Sequence, residues 1–261
     1  MPHDVLRKAP GGMRRIATPL SHGVFLGLLA ASIGCPAFAT QPLLQTPPLA
    51  VRIAIVTAAE VEPVLAQRLK HASFEQESAS REARAVANWV VDSGDSQGMP
   101  FAIVDKKDAK VFVFDADGRL RGAAPALLGL AVGDDAVPGI GNRALSTILP
   151  TERTTPAGRF VASLDRNLQG KEILWVDYGG AVSMHAVVFA KPAERRLQRM
   201  ATPTPLDNRI SYGCINVPAK FFDLVVRPAF TGTSGVVYVL PETRSAQTLF
   251  GSYELAVPAG L

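Results

Sequence analysis

Beyond residue 100 the chain is a succession of short apolar runs broken by turn residues: "FAIVDKK", "KVFVFDADGRLRG", "GRFVASL", "EILWVDYGGAVSMHAVVF" and "GVVYVLPE". This punctuation restricts the fold more than any other feature. Runs this short, rich in Val, Ile, Phe and Tyr and bounded by Gly, Asp and Pro, read as strands. Asp117-Gly118 lies between two of them and predicts a tight hairpin, because glycine supplies the positive φ such turns need; "DYGGAV" predicts a second by the same logic. Several short strands with few helices between them favour an antiparallel sandwich or barrel over a parallel sheet. The expected class is therefore mainly β, antiparallel and sandwich- or barrel-like, with a few short helices. The aromatics, Trp175 included, read as core.

Upstream the pattern differs. Residues 1–39 read as a targeting segment: Arg7, Lys8, Arg14 and Arg15 form a basic start, "FLGLLAASIG" an apolar stretch, and "AFA" a small-residue cleavage pattern ending at Ala39. Met13 is an alternative start, and "SIGC" faintly resembles a lipoprotein box, with Ser32 where an aliphatic residue is wanted. The apolar run is interrupted by Cys35 and Pro36 and is shorter than the roughly 20 residues a spanning helix requires. The protein is thus expected to be exported, to the periplasm or cell-wall space. Residues 40–50 are a Pro-rich linker, 51–97 a helical N-terminal region, and 242–261 a C-terminal tail. Within 51–97, one helical pattern runs from Pro63 to Leu69. A second runs from Ser80 to Val91, with Ser80 as N-cap, Val86, Trp89 and Val90 on one face, and Gly94 as the stop.

The whole chain carries +4; residues 1–39 hold four basic residues and one acid, a net of +3, so their removal leaves about +1. That balance gives nucleic-acid binding no support. Of two cysteines and four histidines, removal of the leader leaves Cys214, His71 and His185. One cysteine forms no internal disulfide, so in an oxidising compartment it is buried and inert, used between chains, or kept for its reactivity.

The surroundings of Cys214 favour reactivity. It lies in "RISYGCINVP", among Gly, Ser, Tyr and Asn and not in an apolar run. A nucleophilic cysteine requires a base, a local positive potential and donors for the oxyanion of a tetrahedral intermediate. His185, in the strand-like "AVSMHAVV", is the candidate base; His71 lies in the polar "RLKHASFEQ". Asn216 and Pro218 read as the N-cap and early proline of a short helix through "AKFFDLVV", which would place the thiol ahead of a helix N-terminus. The amides around Gly213 and Cys214 are the expected oxyanion donors. Ser211 either bonds across the turn or orients the imidazole.

These residues resemble the YkuD-type L,D-transpeptidases, whose signature is a histidine followed at a distance by Ser/Thr-His-Gly-Cys-x-Asn/Arg. Here His185 is followed by "SYGCIN", matching Ser211, Gly213, Cys214 and Asn216. "VDKKDAKVFVFDADGRL" looks like the family's opening hairpin, "TTPAGRF" like its Thr-Pro-x-Gly-x-Phe turn and "GTSGVVYVLP" like its closing strand, so the likeness covers about residues 98–241. The resemblance implies a β-rich catalytic domain over 98–241 acting on peptidoglycan stem peptides, both donor and acceptor, without metal or organic cofactor. Cys214 would be the nucleophile and His185 the proton acceptor and later donor. The resemblance further implies a β-lactam, a carbapenem above all, as a covalent inhibitor.

Two departures stand out. Tyr212 replaces the second signature histidine, leaving His185 as the base. The interval from His185 to Cys214 is long, through "AKPAERRLQRMATPTPLDNR", which implies an extended loop over the cleft. Arg195, Arg196 and Arg209 lie in or beside it; Arg209 is the candidate partner of a stem-peptide carboxylate, whereas the first two read rather as a solvated basic loop. Alternatives to transpeptidation are hydrolysis with the same nucleophile, as an L,D-carboxypeptidase or endopeptidase, and a non-catalytic wall-binding module; a free thiol has no evident use in the last.

Overall fold

A computed structural model of the chain describes residues 70–189 and 191–255, all of which belong to one compact unit. The targeting segment, the Pro-rich linker and the expected helix over 63–69 lie outside the described residues.

Ten strands dominate: β1 Phe101–Asp105, β2 Lys110–Phe114, β3 Leu120–Pro125, β4 Leu128–Gly129, β5 Gly158–Arg166, β6 Glu172–Asp177, β7 Val182–Ala186, β8 Arg209–Ser211, β9 Ile215–Val217 and β10 Gly235–Val239. Eight form one sheet in the order β3-β2-β1-β10-β5-β6-β7-β9, and β4 pairs with β8. The sheet nearly closes on itself. Just past β3, Leu127 exchanges two backbone hydrogen bonds with Asn216 of β9, 2.8 and 2.9 Å, so the two edge strands meet. The fold is mainly β and barrel-like, as the turn-punctuated runs predict. It is not purely antiparallel: β1 with β10, β7 with β9, and β4 with β8 are parallel. Parallel neighbours need long crossovers, and these are supplied by segments whose periodicity carries no pairing information.

The hairpins obey local chemistry. Between β2 and β3, Gly118 has φ 78°, and the Asp115 carboxylate accepts from the N–H groups of Asp117 and Arg119 at 3.1 and 2.9 Å. Between β6 and β7 the positive φ falls on Ala181 (52°) and not on a glycine. The glycine there answers to space, since a Cβ on Gly180 would lie 2.5 Å from the Asp177 carboxylate.

Alternation along the strands builds two cores. Ala102, Val104, Val111, Val113, Leu174, Met184, Ile215, Val217, Val237 and Val239 fill the barrel interior, closed by Phe221, Phe222, Val226 and Phe230. Those four come from a helical segment made of α3 (Ala219–Phe221), a π-turn (Phe222–Val226) and α4 (Arg227–Phe230). The opposite residues of the same strands, Phe101, Ile103, Phe112, Phe114, Val236 and Tyr238, meet α1 (Arg81–Ser93) through Val86, Trp89 and Val90. Burial on both faces explains why β1 and β10 read as continuous apolar runs instead of alternating ones. Ser80 caps α1 by accepting the Ala83 N–H at 3.0 Å, and Gly94 ends it with φ 70°. The last helix, α5 (Ala246–Phe250), joins the same core: Phe250 stacks on Trp89 with centroids 6.4 Å apart. Among the described residues no helix is long and apolar enough to cross a membrane.

Candidate active site

The site is built by the parallel pairing of β7 with β9. Met184 is opposite Ile215 and His185 opposite Asn216. Met184 and Ile215 point into the barrel, both fully buried. Side chains alternate across a strand, so Ser183 and His185 share the other face. Cys214, one residue before Ile215, falls on that face beside Ser183.

The contacts follow from this register. Cys214 Sγ lies 3.6 Å from Ser183 Oγ and 3.8 Å from the Ala181 carbonyl oxygen. His185 Nδ1 is 2.8 Å from the Ala186 carbonyl oxygen. That contact assigns the proton to Nδ1 and leaves Nε2 for the thiol. Burial pushes the thiol of Cys214 up, but hydrogen bonding and charge from His185, together with the N–H and hydroxyl of Ser183, outweigh it and hold the thiol below its ordinary range. For His185 burial opposes the charge, and Cys214 and the Ala186 carbonyl outweigh it, so the imidazole is raised. The two shifts favour a thiolate–imidazolium pair.

A thiolate sustained by its neighbour makes a pH prediction. The folded pKa of Cys214 is depressed, so its alkylation by iodoacetamide persists below the ordinary thiol range of about 8.5 and is lost as pH falls through that folded value. In His185→Ala the burial remains and the countercharge is gone, so the midpoint is expected at or above about 8.5. Identical rate–pH curves for the two proteins, followed by mass spectrometry, would refute the pairing.

The helix expected to begin at Asn216 begins later. Residues 215–217 form β9, and α3 opens at Ala219 with Pro218 in the cap position and no side-chain cap. Cys214 therefore precedes a strand, and its thiolate owes nothing to a helix dipole. Asn216, 1% exposed, instead donates from Nδ2 to the Cys214 carbonyl at 3.2 Å and accepts from Arg196 Nη1 at 2.8 Å. Barrel closure at Leu127 requires the Asn216 backbone to be extended, which overrides its capping preference.

The turn before Cys214 is tightly specified. Ser211 Oγ donates to the Cys214 carbonyl at 2.6 Å and accepts the Gly213 N–H at 3.1 Å, so it bonds across the turn instead of orienting the imidazole. That same bond engages the Gly213 amide expected as an oxyanion donor. The Cys214 N–H has no acceptor among the described residues and is the amide left for that task. Gly213 has φ 128°, and a Cβ there would lie 2.8 Å from the Thr154 carbonyl oxygen. Thr155 Oγ1 donates to the Gly213 carbonyl at 2.8 Å and accepts the Gly129 N–H at 2.8 Å.

Under this turn lies a buried charged cluster that hydropathy patterning gives no sign of. Lys106 Nζ donates to the carbonyls of Gly133 (2.6 Å) and Thr155 (3.0 Å) and to Asp134 Oδ1 (3.0 Å), with neither side chain exposed. Burial draws Lys106 down to about 8, against the pull of Asp134. Asp134 is nonetheless held below the usual carboxylate range, because donors from Thr243 and Lys106 overcome its burial. Arg209 belongs here: it donates to Glu242 and to the Lys106 carbonyl, the latter at 2.9 Å. Its guanidinium, expected to await a substrate carboxylate, thus already has a carboxylate within the chain, because β8 pairs with β4 and carries it inward.

The long interval between β7 and β8 is organised by a short helix, α2 (Arg196–Ala201). Arg196 is not solvated as a basic loop residue would be; it bonds Glu194 at 2.6 Å and Asn216. Arg195 bonds Gln198. Met200 packs with Leu127 and Val187. Tyr212 lies under the Arg153 guanidinium, 4.0 Å from ring centroid to Cζ. His71 is exposed, in the segment leading to α1. Sequence reasoning missed Ser183 and Arg153; the i, i+2 spacing of "SMH" is a signal for the first, and nothing local announces the second.

No family model matches the chain, and no curated protein matches it. Among solved structures it is similar to the helical cell shape determining protein Pgp2 from Campylobacter jejuni, at 16% identity and TM-score 0.36, over 56% of this chain and 49% of that one. An L,D-transpeptidase from Mycobacterium smegmatis matches at 15% and 0.32, over 54% of this chain and 58% of that one. The catalytic domain of the E. faecium L,D-transpeptidase matches at 18% and 0.32, over 54% of this chain and 95% of that domain. The chain spans about half the length of the first of these, 49%. At such identities and TM-scores the likenesses assign neither a family nor a reaction.

Proposed function

We propose that the protein is a cysteine-dependent L,D-transpeptidase acting on peptidoglycan stem peptides outside the cytoplasmic membrane. The observation that carries this reading is the pairing of Cys214 with His185 on the face of β7 and β9 away from the barrel core. Both side chains are only half-buried, so the thiol is presented to a ligand and not sealed in the core as a structural cysteine would be.

In the proposed reaction the Cys214 thiolate attacks the carbonyl of the L-centre of a tetrapeptide donor. The C–S bond forms, and the oxyanion is met by the Cys214 N–H. As the C–N bond breaks, His185 gives its proton to the departing D-amino acid. An acceptor amine then loses a proton to His185 and attacks the thioester, releasing the thiolate. Water in place of the amine gives the hydrolytic reading. Ser183 steadies the thiolate; Ser211, Gly213 and Asn216 hold the turn that presents it. Export rests on the leader-like character of residues 1–39.

Mass spectrometry of defined muropeptides incubated with the protein tests this directly. Joined products are expected from the transpeptidase; donors shortened by one residue and never joined would reassign it as a carboxypeptidase. A carbapenem that enters the cleft is expected to add one adduct, on Cys214, and none to Cys214→Ala. No turnover and no adduct would leave the wall-binding reading in its place.

A further inference from the structure

We propose that Arg153, stacked on Tyr212, is a specificity residue that binds a carboxylate of the substrate next to the bond being broken. The assignment deepens the reading of Cys214 as a nucleophile and rests on it. Arg153 comes from the segment between β4 and β5, which lies directly against the turn carrying the thiol. The following residue, Thr154, would be 2.8 Å from a Cβ on Gly213, and Thr155 bonds the Gly213 carbonyl at 2.8 Å. The backbone is fixed there too, the Arg153 carbonyl accepting the Ala131 N–H at 3.0 Å.

The guanidinium is held on two sides and open on a third. Nε and Nη2 both point at the Ile148 carbonyl, at 3.4 and 3.1 Å, while the flat face lies on the Tyr212 ring at 4.0 Å. Nη1 has no acceptor among the described residues, and Ile148 takes Nη2 only on its Nε side, so one hydrogen of Nη1 and the second of Nη2 remain to grip a carboxylate end-on. No carboxylate among the described residues pairs with it. The adjacent Glu152 is engaged by Arg143, at 2.7 and 3.0 Å, and by the Leu149 N–H at 2.8 Å. By contrast Arg209, the other candidate for this role, is occupied by Glu242. A half-buried cation stacked on Tyr212, the residue two before the thiol, suits a peptide whose carboxylate is one residue from the scissile carbonyl. The departing terminal D-amino acid carries such a group. Tyr212 then has a task at the position it occupies, as the platform that aims the guanidinium; a protonated histidine there would repel it.

The test compares two alkylating reagents that differ in charge. Rates of Cys214 alkylation by iodoacetate and by iodoacetamide are measured by mass spectrometry on the folded protein, and their ratio cancels any general change in thiol reactivity. In low salt, Arg153→Gln is expected to lower the iodoacetate-to-iodoacetamide ratio roughly threefold, the size of one charge at this range in a wet site, with the difference shrinking at high ionic strength. Tyr212→Leu should lower it in the same direction and Tyr212→Phe should preserve it, which separates the ring from the hydroxyl and covers the case in which Arg153→Gln does not fold. With donor peptides, Arg153→Gln should raise KM for a free terminal carboxylate more than for the carboxamide. Ratios unchanged in both Arg153→Gln and Tyr212→Leu, with Cys214 still reactive, would overturn this assignment alone. A native Cys214 that neither reagent modifies would overturn the nucleophile reading and this assignment with it.

Discussion

Cys214→Ala and His185→Ala are each expected to reduce turnover by on the order of 10⁴-fold or more, and the double variant to be scarcely worse than either single one. The non-additivity is the informative part. The thiolate is held below its ordinary range chiefly by His185, and His185 is raised chiefly by Cys214; removing one partner removes the function of the other. Multiplicative losses would mean that the proton passes through a different group. Circular dichroism and urea unfolding should show all three variants folded, because both side chains point away from the barrel core. Tyr212→Phe is the companion control: it keeps the ring under Arg153 and loses only a hydroxyl. Were it as inactive as His185→Ala with its fold intact, the tyrosine would be exchanging a proton and the scheme would have to be rewritten.

Lys106→Met is expected to be the most destabilising single change outside the hydrophobic cores, by about 3–5 kcal/mol in urea unfolding, because it takes from buried Asp134 its nearest cation and leaves only Arg244 Nε, 3.8 Å away. The side chains of both residues are fully buried, and Lys106 also holds the Gly133 and Thr155 carbonyls. Lys106→Met combined with Asp134→Leu should recover a good part of the loss, since replacing a whole buried pair costs less than breaking one. The consequence should reach the thiol. Lys106 bonds the carbonyl of Thr155, whose hydroxyl bonds Gly213, so loosening this cluster should slow Cys214 alkylation even at temperatures where the protein remains folded. Full stability in Lys106→Met would show that the Glu242 and Thr243 amides, the Thr243 hydroxyl and Arg244 satisfy Asp134 without the lysine.

Together the two predictions divide the site into a chemical pair and its foundation. The pair sits on adjacent parallel strands. The foundation is a polar cluster beneath the turn, reached from β1, from the segment before β5 and from the residues after β10. A segment that patterning marks as a tail is part of that foundation, because Glu242 and Thr243 supply its acceptor and donors.

What the sequence determined by itself is what depends on near neighbours. The turn at Gly118, the cap at Ser80 and the stop at Gly94 are local steric and hydrogen-bonding matters, settled within a few residues. Strand texture follows from the apolar runs, and the choice of Cys214 and His185 follows from their being the reactive pair left once residues 1–39 are set aside. Tertiary structure alone decided which strands became neighbours. The β7–β9 register that brings Ser183 and His185 to Cys214, the closure that pulls Asn216 into a strand, the occupation of Arg209 by Glu242 and the seating of Arg153 on Tyr212 all join residues far apart in the chain. Pairings of that kind are chosen by burial of the whole barrel, where a preference such as the capping tendency of Asn216 is worth about 1 kcal/mol and yields to the hydrogen bonds and packing that closing the sheet requires.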